Sequence, residues 1–526
     1  MGLPKAVKLF DTTLRDGCQA EGVSFSVKEK VQIAHRLDDF GIHYIEGGWP
    51  GSNPKDIEFF LEIAKNPPRR AVIVAFGSTR RPNVTAEEDS NLKAIMEANV
   101  AAAAIFGKTW PLHVQKALRV PLETNLAMIQ DSVAFLVGRG LEVIYDAEHF
   151  FDGFKADSEY ALETLRRAEA AGAAYITLCD TNGGSLPSEI GEIVQKTKRA
   201  ITTPLGIHAH NDSETAVANS LAALEAGAEL IQGTINGYGE RCGNANLCSL
   251  VPALVLKKGI PCVPREKLRE LSKLSLYVSE LGNIVPDDRQ PYVGRSAFAH
   301  KGGIHVSAIQ RDESSYEHVR PEEVGNKRRI LVSELAGRSN IESRAEELGI
   351  DVEGKHAEIL ERIKTRENQG YDYEVADGSL TLLMKEAAGQ WHPRQLFELV
   401  NYRVLCDKTE SGRLLSEAVV RIQVGGQEYF LASEGRGPVD ALYNAVLKAL
   451  RNKYGEKLEH FRLRDYKVRI INPNEATAAL VRVLVESADQ NSTWMTVGVS
   501  ESIIEASWQA LLDSIEYKLM KDGPGG

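Results

Sequence analysis

His208-Ala-His210 sets two imidazoles two residues apart, and in an extended strand residues i and i+2 share a face, so both rings can reach one point. Two imidazoles and one carboxylate, with positions left open, are the donor set of a catalytic divalent-metal site. The competing reading of an H-x-H pair is two hydrogen-bonded or solvated histidines, and acidic loops near a strand end favour the metal. Asp11 and Asp16 both follow the first strand-like run, and residue chemistry leaves the choice between them open, since Asp11 can equally cap a turn. Arg15 stands between them. A guanidinium beside a metal can hold a substrate carboxylate and stabilise a developing alkoxide, whereas in an unstructured loop it would be spent on a surface ion pair. Lys108 is the one lysine at a predicted strand end and the only candidate for Schiff-base chemistry, which ranks below the metal. The run Gly237-Tyr-Gly-Glu-Arg-Cys-Gly-Asn244 can cradle a phosphate or simply turn the chain.

Such groups need a frame. Up to about residue 260, eight apolar or β-branched runs (7–10, 43–46, 71–76, 101–106, 141–145, 175–178, 205–208 and 230–233) alternate with amphipathic stretches such as 160–171 and 215–226. Eight βα repeats in roughly 250 residues predict a (β/α)8 TIM barrel. A doubly wound sheet would have fewer strands and a G-x-G-x-x-G loop after the first, where this chain reads Asp11-Thr-Thr-Leu-Arg-Asp-Gly17. Barrel active sites lie at the C-terminal ends of the strands. There the chain places Arg15, Asp16 and Gln19, then Glu46, Arg80 and Lys108, then Glu148 with His149, Asp180 with Thr181, His208 with His210, and finally Asn236, Glu240 and Asn244.

The barrel is expected to occupy 1–285. Residues 286–385, with His300-Lys-Gly-Gly-Ile-His305 and charged helical runs, read as a helical linker region, and 386–526 as a small α+β domain with a βββα pseudo-repeat. With 62 basic and 73 acidic residues the net charge is −11, and no basic cluster is long enough to follow a phosphate backbone, so nucleic acid is excluded as a partner. No apolar run approaches the ~20 residues of a membrane span. The six cysteines form no C-x-x-C pair, which fits reduced thiols in a cytoplasm.

Asp11-Thr-Thr-Leu-Arg-Asp-Gly17, His208-Ala-His-Asn-Asp212 and Gly239-Glu-Arg-Cys-Gly-Asn244 together resemble the DRE-TIM metallolyases, which include 2-isopropylmalate, homocitrate and citramalate synthases. The likeness runs through nearly the whole chain. Ile45-Glu-Gly-Gly-Trp-Pro-Gly-Ser-Asn-Pro-Lys-Asp56 and Glu434-Gly-Arg-Gly-Pro-Val-Asp-Ala441 look most like the citramalate branch. The resemblance implies that Asp16, His208 and His210 hold a divalent ion (Mg2+, Mn2+ or Zn2+), with Asn244 in or next to its shell. It implies Arg15 and Glu148 as the rest of the D-R-E set, Gln19 and Thr181 as substrate contacts, and His305 with Tyr316 as catalytic groups presented to a partner subunit, His300 competing for that role. It further implies acetyl-CoA and pyruvate as substrates, with 2-oxoisovalerate in place of pyruvate or an acyl-CoA lyase reaction as the alternatives, a homodimer, and a C-terminal regulatory domain that binds isoleucine. Cys18 departs from the Glu that many relatives carry before Gln19.

Overall fold

Each barrel strand carries side chains alternately to the barrel interior and to the surrounding helices, so both of its sides are covered. In the computed structural model, which describes residues 7–332, 338–393, 395–408, 412–471 and 479–523, eight strands form a closed, all-parallel barrel in chain order. They are β1 (Lys8–Asp11), β2 (Tyr44–Gly48), β3 (Val72–Ser78), β4 (Ala102–Lys108), β5 (Glu142–Glu148), β6 (Tyr175–Asp180), β7 (Leu205–Ala209) and β8 (Leu230–Gly233). The seam pairs Lys8 with Leu230 and Asp11 with Gly233. Along β4, Ala102 and Ala104 point into the barrel beside Phe10, Tyr44 and Phe76, while Ala103 and Ile105 pack outward against the helices. The small inward residues of β4 leave room for the large ones of β1 to β3.

The helices between strands are delimited by their own end chemistry. Val27–Phe40 starts at a capping box, Ser26 with Glu29, and stops at Gly41, whose φ of 109° suits glycine. At β2 the chain turns through Gly48 (φ 153°), where a Cβ would lie 2.3 Å from Cγ of Asp56. That buried carboxylate is held by Lys30 at 2.5 Å and accepts from the Trp49 N–H at 2.9 Å, so the turn that carries Trp49 is fixed from beneath.

The chain divides into two compact units. The first comprises the described residues up to Phe298 together with Val319–Lys327; the second comprises Ala299–His318 and the described residues from Arg328 onward. Residues 286–298 and 319–327 thus belong with the barrel, and the remaining described residues of 286–385 with the C-terminal part.

In the second unit, β9 (Ala299–His300) pairs with β10 (Arg329–Ile330), the helix Gly303–Arg311 lies between them in the chain, and the helices Arg338–Leu348, His356–Asn368 and Asp377–Ala387 follow. Two antiparallel three-stranded sheets come next: β11 (Phe397–Lys408), β12 (Leu414–Val424) and β13 (Gln427–Gly435), then β14 (Arg462–Ile470), β15 (Val481–Ala488) and β16 (Thr493–Ser500). Each sheet is followed by a helix, Pro438–Leu458 and Ile503–Lys521, which gives the βββα repeat. The first helix runs through a kink at Tyr454 (φ −122°). Leu458 is buried at its far end, and that burial extends the helix beyond the charged Arg451–Lys453 stretch. One face of the sheets packs on the helices, with Ala418, Val420, Ile422, Val483 and Val485 fully buried. Val400, Phe430, Tyr466, Val468 and Ile470 stay exposed.

Candidate active site

The C-terminal ends of β1 and β7 bring Asp16, His208 and His210 together. One donor atom from each lies within 4.8 Å of the others, the only such group of three among the described residues. His208 Nε2 lies 3.3 Å from Asp16 Oδ2 and 3.3 Å from His210 Nε2. All three side chains are buried. Burial raises the proton affinity of Asp16, but Arg15, His208 and His210 outweigh it and hold the carboxyl well below its ordinary range. Burial also works against charge on His208, and the hydrogen bond and charge of Asp16 prevail, so its pKa is raised. Burial and the neighbouring His208 lower His210 to about 3, so its imidazole is a neutral donor.

The donor set fits a divalent cation. Two imidazole nitrogens and a carboxylate oxygen converge, and both amide atoms of Asn244 are buried without a hydrogen-bond partner. Asn244 is fixed beside His210 by a backbone bridge. Buried amide atoms left unmatched cost free energy, and a cation or its bound water would satisfy them. The rival carboxylate, Asp11, is spent on a turn: Thr13 donates its N–H and its hydroxyl to it, both at 2.9 Å. Burial pushes Asp11 up to about 7.

Arg15 lies against this centre, 3.4 Å from Asp16, and its Nε donates to Glu46 at 2.6 Å. Thr12 donates to the same Glu46 oxygen, and the other oxygen, Oε1, is buried without a partner. Burial opposes charge on Arg15, and the carboxylates of Glu46 and Asp16 more than offset it, so the guanidinium stays charged. Glu148 does not reach Arg15. It is ion-paired with Lys108 across the adjacent strand ends, which ties the Schiff-base candidate to a carboxylate. Gln19 is exposed and accepts from Arg15 Nη1 at 3.3 Å. Thr181 accepts the His149 N–H at 2.9 Å through its hydroxyl, while its carbonyl is gripped by Arg241, which also binds Asp212. Arg241 therefore ties the loop after β8 to those after β6 and β7.

An aromatic wall borders the guanidinium. Arg15 Cζ sits 3.8 Å above the Phe76 ring, Phe76 stacks on Phe106 at 5.5 Å, and Trp49 meets both edge-on at 5.4 and 5.7 Å. In the second unit, His300 is engaged by Glu317 at 3.2 Å, and Arg328 binds the same carboxylate through two nitrogens at 2.7 Å. His305 is exposed and stacks on Tyr316 with 4.2 Å between centroids.

Sequence reasoning placed Glu46 at a strand end without linking it to Arg15, and it passed over Asp146 and Gln232. Gln232 lies inside the apolar run 230–233 and Asp146 directly follows the run 141–145, and a polar residue interrupting or closing such a run is the available signal.

Three family models match: the HMGL-like model over residues 6–277, a homocitrate synthase post-HMGL domain-like model over 292–370, and the LeuA allosteric (dimerisation) domain over 374–519. A Geobacter sulfurreducens protein named (R)-citramalate synthase is 56% identical over 519 residues, covering 98% of both chains. The chain belongs to the HMGL-like family, in its citramalate synthase branch. The Aquifex aeolicus member of this branch is 52% identical, with 100% of both chains covered. A Methanopyrus kandleri relative named probable 2-isopropylmalate synthase is 34% identical, with 98% of both covered. The family assignment agrees with the motifs around Arg15, His208 and Asn244. Among the described residues no helix is long and apolar enough to cross a membrane.

Proposed function

We propose that this protein is an acyltransferase that condenses acetyl-CoA with pyruvate, giving (R)-citramalate and free CoA. The observation that carries this reading is 43–56% identity, over nearly the full chain, to five relatives named (R)-citramalate synthase. The reaction forms one bond, between the acetyl methyl carbon and the ketone carbon of pyruvate. Water then cleaves the thioester, which releases CoA and makes the sequence irreversible.

Asp16, His208 and His210, with Asn244 beside them, would hold a divalent ion (Mg2+, Mn2+ or Zn2+) that polarises the ketone. Arg15, held charged by Glu46, neutralises the oxygen that becomes an alkoxide as the carbon–carbon bond forms. Gln19 and Thr181 lie in loops that can take the keto-acid carboxylate. His305, with Tyr316, removes a proton from the acetyl methyl group; its exposed, stacked imidazole favours it over His300, which is committed to Glu317. In this reading the pair serves the barrel of a partner subunit. Glu148 orients the hydrolytic water.

A homodimer is the working form. Its support is the match to a dimerisation domain and the exposed Phe430, Tyr466, Val468 and Ile470 on the sheet faces away from the helices. The same domain binds isoleucine as a feedback effector, which places the reaction at the entry to isoleucine biosynthesis. All six cysteines are free, which suits a reducing cytoplasm.

The test is thiol release from acetyl-CoA with pyruvate, 2-oxobutyrate, 2-oxoisovalerate or 2-oxoglutarate, each with metal and with EDTA. Metal-dependent release with pyruvate is expected. A preference for 2-oxoisovalerate would move the chain to the activity named for the Methanopyrus relative.

A further inference from the structure

Behind the metal ligands, four polar side chains from four consecutive strands are joined inside the barrel. His208 on β7 places Nδ1 2.7 Å from Oε1 of Gln232 on β8. Gln232 uses its amide nitrogen twice, donating to Asp146 on β5 at 2.8 Å and to Thr177 on β6 at 3.2 Å. All four side chains are buried. Asp146 is not one of the converging metal donors, and the reaction outlined above does not use it.

The strand register explains how one glutamine spans so far. Gln232 is level with His208, Thr177 with Gly206, and Asp146 with Thr177. Gly206 lies two residues before His208 and so shares its inward face. A Cβ there would come within 2.9 Å of the Thr177 hydroxyl. Because that position carries no side chain, Gln232 can reach across β7 to the two strands beyond.

We propose that Gln232, locked by Asp146 and Thr177, is a positioning residue that sets the tautomer of His208 for metal binding. With both amide hydrogens engaged, its oxygen is the atom turned to His208. An amide oxygen only accepts, so Nδ1 carries the hydrogen and Nε2 is left as the electron-pair donor toward Asp16 and His210. The ring cannot turn over without leaving Gln232 and His208 mismatched inside the barrel.

This inference rests on the metal reading of Asp16, His208 and His210. The test is Mn2+ binding by the full chain without substrates, counting free Mn2+ by electron paramagnetic resonance, beside thermal unfolding of the metal-free proteins. Gln232→Met, similar in volume but without an acceptor, is expected to weaken Mn2+ binding ~10–100-fold. Asp146→Val leaves Gln232 free to rotate and should weaken binding in the same direction. Asp146→Asn keeps an acceptor for the amide and should restore affinity close to that of the parent. A purely structural role would lower the unfolding temperature of the metal-free chain and leave the Mn2+ affinity of the folded protein unchanged, and that result would overturn the proposal. It would also fall if Asp146→Asn lost as much affinity as Asp146→Val. The Asp146 pair decides alone if Gln232→Met does not fold. Absence of Mn2+ binding by the parent would overturn the metal reading and this inference with it, whereas the keto-acid assignment is read separately from thiol release.

Discussion

Two carboxylates, one in each unit, show how differently this chain treats charge. Glu46 at the barrel mouth is fully buried, and one of its oxygens has no partner. Asp489, at the turn between β15 and β16, accepts the N–H groups of Asn491 and Ser492 at 2.8 and 2.9 Å and the ammonium groups of Lys518 and Lys521 at 2.7 and 3.0 Å. A folded chain matches its buried polar atoms where they serve only stability. The mouth, with Glu46 Oε1, His210 Nδ1 and the Asn244 amide unmatched, carries a cost that a ligand can relieve. Charge around Asp489 is fully matched, whereas charge around Arg15 sits beside unmatched polar atoms, as the proposed chemistry requires.

Substitutions can break that contrast or sharpen it. The largest effect on turnover is expected from His208→Ala combined with His210→Ala, which should reduce thiol release to the level of the EDTA-treated parent and remove bound metal; turnover and metal content like the parent's would refute the centre. Arg15→Gln should lower kcat by ~10²–10³, the scale of losing one donor to a developing oxyanion, with metal content intact. Glu46→Gln should cost less, up to ~10²-fold in kcat through misplacement of Arg15. If Glu46→Gln instead lowered only the unfolding temperature, the mouth would be built like the Asp489 turn and the contrast would collapse.

Phe106→Ala opens the wall beside Arg15 and should raise the kcat/KM ratio of 2-oxoisovalerate to pyruvate ~10-fold, the worth of one or two methyl groups in an apolar pocket. The smallest effect on turnover should come from Asp489→Asn, which should leave kcat unchanged and cost ~2 kcal/mol of stability in urea at neutral pH. Burial would raise the Asp489 pKa, but Lys518 and the other donors depress it below the ordinary carboxylate value. Its stabilisation is therefore fully present above that value and is lost as pH falls through the depressed pKa, so the unfolding curves of parent and variant should begin to approach one another below about pH 4 and meet only at still lower pH.

Much of this was legible in residue order. All eight apolar runs of the first 260 residues became barrel strands, because a parallel strand covered on both sides is written as an apolar run bounded by turns. His208 and His210 were legible because strand geometry converts a spacing of two into a shared face. The Arg15–Glu46 pair was not, since it joins the loop after β1 to a residue of β2 31 positions away and depends on the register of β2 against β1. Gln232 was hidden for a related reason: its reach to Asp146 depends on what residue 206 lacks. The engagement of His300 was not legible either, since Glu317 meets it from 17 residues away and is itself held by Arg328.

Trp49 has an optical consequence. The protein has five tryptophans, and this one is pinned through Nε1 to Asn91 at 2.6 Å while its ring edge borders Phe76, the ring on which Arg15 rests. Indole emission depends on nearby charge, so an anion arriving at Arg15 alters the field at a rigid fluorophore. If the proposed keto acid binds at Arg15, its occupancy can then be followed by light with no acetyl-CoA present, separating recognition of the acceptor from everything that happens to it afterwards.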